Sequence, residues 1–175
     1  MTAAEVYELT TDGGATDLAR LIATCESFGP YCLINDLAVD CYVEPVYTLD
    51  ADLVVIAGNF PALADRLQAD GFRSEQHPYS LNVFPPGSNL RIQFTRDARY
   101  QEFLPRSQPA EVLGVPTRVA CVEDVARGKL WAYSDPARRL SKRKKDELDL
   151  IRLGEAYPEL RSFYPREIID QLDRG

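Results

Sequence analysis

The chain has 175 residues, of which 45% are hydrophobic and 27% charged, with a net charge of -7 and a pI near 4.8. That composition suits one globular unit with a sizeable core, and its acidity argues against nonspecific nucleic-acid binding. No apolar run is long enough to span a membrane, the N-terminus Met1-Thr-Ala-Ala-Glu5 lacks the basic and apolar regions of a signal peptide, and a cytoplasmic setting is expected.

Ala15 to Ser27 carries Leu18, Leu21 and Ile22 at helical spacing and stops at Gly29-Pro30. Tyr31 to Ile34 is a short apolar strand, Leu37 to Cys41 begins a short helix, and Pro45 separates that helix from a second strand entered through Asp50 and Asp52. Side chains alternate along a strand, so these two carboxylates share a face while Leu49, Ala51 and Leu53 face the other way. Paired carboxylates repel each other, and hard oxygen ligands suit a divalent cation. Pro61 to Ala69 is a helix with Pro at its start and Gly71 past its end. Phe72–Gln76, Ser80–Phe84 and Leu90–Thr95 follow as strands, with Pro85-Pro86-Gly87-Ser88 turning the last two, and are expected to extend the sheet antiparallel. On the last of them Leu90, Ile92 and Phe94 face one way, Arg91 and Gln93 the other.

Arg99–Leu104 reads as a short helical or irregular segment, then Ala110–Leu113 and Thr117–Ala120 as short strands around Gly114. Val122–Tyr133 is a helix broken at Ser134-Asp-Pro136, and Ala137–Ala156 is a long one that ends at Tyr157-Pro158. Pro158–Phe163 and Arg166–Leu172 form a helical tail. The expected architecture is α/β: residues 1–175 as a single domain, with a core of about 15–120 and a helical C-terminal section of about 121–175. The four cysteines, Cys25, Cys32, Cys41 and Cys121, have no paired metal-site spacing and read as reduced thiols. His77, the single histidine, is read as a loop residue in Gln76-His-Pro78.

Three segments in this order resemble the AbiEii-type nucleotidyltransferases of the polymerase-beta-like nucleotidyltransferase superfamily. They are the strand–helix–strand run ending in Asp50-Ala-Asp52, the segment Lys129-Leu-Trp-Ala-Tyr133, and Arg143-Lys-Lys-Asp-Glu-Leu-Asp-Leu150. The resemblance covers roughly Ala15 to Leu160. It implies a nucleotidyltransferase-like mixed central sheet flanked by helices. It also implies Mg²⁺ or Mn²⁺ on Asp50 and Asp52, and transfer of a nucleoside monophosphate from a nucleoside triphosphate to a hydroxyl of RNA, protein or a small molecule. Lys129 would contact phosphates, and Asp146 or Asp149 would aid Lys129 or act as general base. The family includes bacterial toxins, so a cognate antitoxin-like protein is an implied partner.

Two departures matter. The family's Gly-Gly or Gly-Ser turn reads Asn35-Asp36 here; Asn and Asp tolerate the left-handed region, so the turn can form, but Asp36 would meet phosphate only through a metal. No acid stands on the strand of Arg91 and Gln93, which disfavours a two-metal clamp. Arg91 would either bind phosphate or neutralise Asp50 or Asp52; the second role would mark a catalytically degenerate binding protein. The basic run Arg138, Arg139, Lys142, Arg143, Lys144 and Lys145 is either a phosphate patch or a helix start with pairs such as Lys142–Asp146 and Lys145–Asp149.

Overall fold

The run Tyr31-Cys-Leu-Ile34 has no charged side chain, and in the computed structural model, which describes residues 1–175, all four residues are buried in an interior strand of a seven-stranded sheet. With β1 at Tyr31–Ile34, the other strands are β2 (Asp50–Val55), β3 (Arg73–His77), β4 (Ser80–Phe84), β5 (Arg91–Thr95), β6 (Gln108–Val112) and β7 (Val115–Val119), in the spatial order β3-β4-β5-β2-β1-β7-β6. The helices are α1 (Ala3–Thr10), α2 (Gly14–Ser27), α3 (Asn35–Val39), α4 (Phe60–Ala69), α5 (Val122–Ser134), α6 (Leu140–Ala156) and α7 (Arg166–Arg174), with 3-10 turns at Ala57–Asn59, Ala98–Arg106 and Pro158–Phe163. The architecture is the expected α/β arrangement of a mixed sheet, flanking helices and a helical C-terminal section.

The sheet differs from expectation in one respect. The hairpin β3–β4 and the pair β4–β5 are antiparallel, but β5 runs parallel to β2, its partner on the other side. Helix α4 and the hairpin lie between β2 and β5 in sequence, so the chain crosses over before β5 inserts beside β2. β1 pairs antiparallel with β2 and parallel with β7. His77 ends β3 opposite Ser80 and is exposed, so it is a strand residue and not a loop residue.

Local chemistry accounts for the other shifts. α1 was not expected from its apolar pattern, yet Thr2 and Glu5 form a capping box: Glu5 N donates to Thr2 Oγ1 at 3.2 Å, and Thr2 N to Glu5 Oε2 at 2.6 Å. α3 starts at Asn35, two residues earlier than expected, because Asn35 takes φ +57°, the left-handed turn that its side chain tolerates. α6 starts at Leu140 because Asp135 Oδ1 accepts from Ala137 N at 2.9 Å and holds the chain in a turn.

The core joins both faces of the sheet. Leu18, Leu21 and Ile22 from α2, Leu33, Leu53 and Phe94 from the central strands, Leu150 and Leu153 from α6 and Ile168 from α7 belong to one buried cluster. Cys25, Cys32 and Cys121 are buried, Cys41 partly so, and all four are free thiols. No helix is long and apolar enough to cross a membrane.

Candidate functional site

β2 enters the sheet through Asp50-Ala-Asp-Leu53. Ala51 and Leu53 are fully buried, so the alternation of the strand turns Asp50 and Asp52 to the opposite face. Register sets Asp50 beside Arg91 and Asp52 beside Gln93 on β5. β4 adds Asn82 and Phe84 beyond them, and the sheet face becomes the floor of a cavity of about 420 Å³. Its other walls are Asn35 and Asp36 at the start of α3, Lys129 from α5, and Arg138, Lys142, Lys145 and Asp146 from the start of α6 and the residues before it. Of the residues singled out in the sequence, Asn35, Asp36, Asp50, Asp52, Arg91, Lys129 and Asp146 all reach this cavity. Asp149 stands behind the wall and reaches the site through Lys129.

Lys129 is the most heavily partnered group. It is 2% exposed, with Nζ 2.6 Å from Asp36 Oδ1, 2.7 Å from Asp149 Oδ2 and 3.3 Å from Asp146 Oδ1. Burial acts to lower the pKa of its ammonium; the carboxylates of Asp36 and Asp149 outweigh that and hold it above the ordinary lysine value. An ammonium has three donors, and here each faces a carboxylate. A phosphate would reach Lys129 only by displacing one of them.

Asp36 is held from two sides, by Lys129 and by Lys145 Nζ. Burial works to raise its pKa, but the two ammonium groups bring it down to about 2. Arg138 Nε binds Asp146 Oδ2 at 2.6 Å and Arg152 binds Asp149 Oδ1 at 2.8 Å. The intrahelical pairs Lys142–Asp146 and Lys145–Asp149 are therefore not the pairs that form. Asp146 and Asp149 turn inward to α5, and Lys145 crosses to α3. Lys142 lines the cavity, whereas Lys144 pairs with Glu147 at 2.7 Å, so only part of the basic run faces the site.

The carboxylates of β2 are unequal. Asp50 Oδ1 lies 2.7 Å from Arg91 Nε, a contact in which the Arg91 side chain stays 59% exposed. Asp52 has no cationic group at salt-bridge distance, whereas Asp36, Asp50 and Asp146 each have one. Burial, then the neighbouring Asp36 and Asp50, push Asp52 up to about 7, against the attraction of Lys129 and a hydrogen bond from Asn35. A divalent cation fits this position. The donors are hard oxygens, one of them lacks compensating charge, and Mg²⁺ needs only one or two carboxylates when substrate phosphates supply the rest. No group of three or more His, Cys, Asp or Glu side chains is gathered into a cage.

Asn82 and Phe84 were not singled out in the sequence. Their signal is the alternation of Ser80-Leu-Asn-Val-Phe84, which buries Leu81 and Val83 and turns Asn82 to the cavity face.

Known structures share this fold. The chain superimposes on an antigenic nucleotidyltransferase-like protein from Paracoccidioides brasiliensis with a TM-score of 0.57 at 16% identity, over 91% of this chain and 86% of that one. It is similar to the lincosamide antibiotic adenylyltransferase LnuA, solved with lincomycin bound, with a TM-score of 0.55 at 13% identity over 81% and 96%. It is also similar to the antibiotic-resistance factor ANT(2'')-Ia, with a TM-score of 0.54 at 17% identity over 91% and 96%. No protein-family model and no curated protein matches the sequence. The fold these neighbours share is thus nucleotidyltransferase-like; among them LnuA is named as an antibiotic adenylyltransferase and ANT(2'')-Ia as an antibiotic-resistance factor.

Proposed function

We propose that this protein transfers a nucleoside monophosphate from a nucleoside triphosphate to an acceptor hydroxyl. The observation that carries the proposal is the carboxylate pair Asp50 and Asp52 facing Arg138 and Lys145 across one cavity, with Asp52 short of positive charge. That is the charge pattern of a site for a polyanion bound together with a cation. Mg²⁺ or Mn²⁺ on Asp50 and Asp52 would neutralise charge that develops on the transferred phosphate.

The chain's own residues do the rest. Arg138, Lys142 and Lys145 draw the phosphates to the α6 side of the cavity. Arg91 is free to leave Asp50 for a phosphate, because its side chain is more than half exposed. Lys129 acts as a positioning residue: it ties Asp36, Asp146 and Asp149 together and so fixes α3, α5 and α6 around the site. The acceptor oxygen attacks the α-phosphorus, the bond to the β-phosphate oxygen breaks, pyrophosphate leaves, and the acceptor proton is released to solvent. Positioning and charge stabilisation carry the catalysis.

The AbiEii-like order of segments supports a toxin-like enzyme of the bacterial cytoplasm, with RNA, protein or a small molecule as acceptor and an antitoxin-like partner. Residues 1–175 would act as one domain. A second reading, a degenerate nucleotide-binding protein, is favoured by Arg91 seated on Asp50 and by Gln93 where a third acid would stand.

Incubation with the four α-³²P nucleoside triphosphates, Mg²⁺ or Mn²⁺, and total RNA plus lysate protein tests the proposal. Label reaching a macromolecule or small molecule, and lost in Asp50→Ala, is the expected result. Metal-dependent triphosphate binding without transfer would select the degenerate reading. No binding at all would sink both.

A further inference from the structure

We propose that Phe84, backed by Arg73, is a stacking platform for a nucleobase inside the cavity. The proposal rests on the transfer reading above and adds to it the place where a base is held.

Apolar surface is scarce in this cavity. Of the side chains that line it, only Phe84 and Ile92 are apolar, and Ile92 is 2% exposed. Phe84 is partly exposed, so its ring is the one apolar surface that the cavity offers a ligand. The other walls are amides, carboxylates and cations, which are partners for phosphate and metal.

The ring is held in place. Arg73 stands opposite Phe84 in the β3–β4 pairing, and its guanidinium carbon lies 4.3 Å from the ring centroid. Arg73 is itself tied to Glu75 at 2.5 Å. One face of the ring is thus covered from the β3 side. Phe84 lines the cavity and Arg73 does not, so the face left for a ligand is the one turned toward β5. A ring ordered before its ligand arrives lowers the entropy cost of stacking.

Register gives the distance. Val83 pairs with Ile92, so one step further Phe84 comes beside Arg91, and Arg91 pairs with Asp50. Adjacent strands lie about 4.8 Å apart, which puts Phe84 roughly 10 Å from Asp50 with Arg91 between them. That leaves room for one ribose between a phosphate at Asp50 and a base on Phe84. The same span serves a nucleoside end whose ribose hydroxyl attacks there. The base therefore belongs either to the triphosphate or to the acceptor, and the chemistry that receives it is the same.

The neighbouring side chains favour a heteroaromatic base over a hydrocarbon ring. Arg91 and Gln93 are exposed on the adjoining strand and line the same cavity. A hydrocarbon would take water from them without replacing its hydrogen bonds. A base brings ring nitrogens and exocyclic groups at its edge. Every base has a π-face, so stacking alone does not choose among the four.

The test uses the full chain with its phenylalanine rings ¹³C-labelled, the Phe84 signal being assigned by its loss in Phe84→Tyr. The probes are Mg²⁺ with tripolyphosphate, Mg²⁺ with the α,β-methylene analogues of the four nucleoside triphosphates, and free adenosine and cytidine. A base of the triphosphate is indicated when an analogue shifts the Phe84 signal and binds about tenfold tighter than tripolyphosphate, with that gain lost in Phe84→Leu and kept in Phe84→Tyr. A base of the acceptor is indicated when a nucleoside shifts the Phe84 signal of protein already filled with an analogue, and binds about tenfold more weakly to Phe84→Leu. Either result supports the platform. A Phe84 signal that neither analogue nor nucleoside moves overturns it. So does binding that Phe84→Leu retains in full, or a loss in that variant that extends equally to tripolyphosphate. Failure of Mg²⁺ and tripolyphosphate to bind the wild type would instead count against the transfer reading, and the nucleoside titration then decides the platform by itself.

Discussion

Lys129 concentrates the energetics of the site in one side chain. Removing an ammonium that is 2% exposed leaves Asp36, Asp146 and Asp149 close together without it. Breaking a buried pair by deleting one partner typically costs about 3–5 kcal/mol. Lys129→Met is therefore expected to lower the urea midpoint sharply, and an unchanged midpoint would contradict the three-carboxylate arrangement. The sequence pointed to Lys129 through its segment, but its partners lie 93, 17 and 20 positions away, and no local pattern encodes such distances. The turn at Asn35 was more legible, because tolerance of positive φ is a property of the residue itself. Asp40 allows a pH test away from the cavity. Burial, with Asp36 and Asp149 nearby, pushes it up to about 6, against a backbone hydrogen bond from Val46 and the charge of Arg152. A carboxylate whose folded pKa is raised holds its proton in the folded state while the unfolded chain ionises, so stability falls as pH climbs from about 4 to about 6. Asp40→Asn should remove that part of the decline and raise the melting temperature at pH 7.5 by a few degrees. Equal melting curves for the two proteins across pH 4–8 would refute the assignment.

Elements were legible to the extent that their determinants are local. β4 spans the expected Ser80–Phe84, and α4 spans Phe60–Ala69 against an expected Pro61–Ala69, since alternation and Pro–Gly punctuation are written along the chain. The direction of β5 was not, because pairing with β2 depends on a crossover through α4 and the β3–β4 hairpin. α1 was overlooked although Thr2-Ala-Ala-Glu5 spells a capping box; its eight residues carry too little apolar periodicity to stand out. Packing between α6 and α7 yields a prediction at this scale. A Cβ on Gly154 would lie 2.9 Å from Leu172 Cδ1 and 3.0 Å from Tyr164 Cε2. Gly154→Ala should push α7 outward at a cost of about 1–3 kcal/mol, seen as faster amide exchange in Arg166–Arg174. Exchange rates equal to wild type would show that the neighbours yield freely. Because α6 also supplies Asp146 and Asp149, the same variant tests how firmly the tail supports the site.

For the whole molecule, net charge does not describe the charge at the site. A chain of charge -7 still gathers Arg91, Arg138, Lys142 and Lys145 around one cavity, and local arrangement outweighs the global sum at contact distances. If the proposed function holds, a nucleoside triphosphate with Mg²⁺ at a hundred times its dissociation constant should stabilise the fold by about 2.7 kcal/mol. For a chain of this size that is roughly 5–10 °C in melting temperature. The metal-dependent part should vanish in Asp50→Ala, and a wild-type melting curve indifferent to triphosphate would argue against the site.

The paired state of the cavity cations has a kinetic consequence. Arg91, Arg138 and Lys145 each already hold a carboxylate of the same chain. Those carboxylates are tethered rivals of any bound phosphate, present at an effective concentration of roughly millimolar or above. Under the proposed function, every pyrophosphate that loosens would be met at once by an internal replacement. In that reading the arrangement would sacrifice affinity for the anion and hasten its departure, so that the protein itself would suppress recapture of the leaving group.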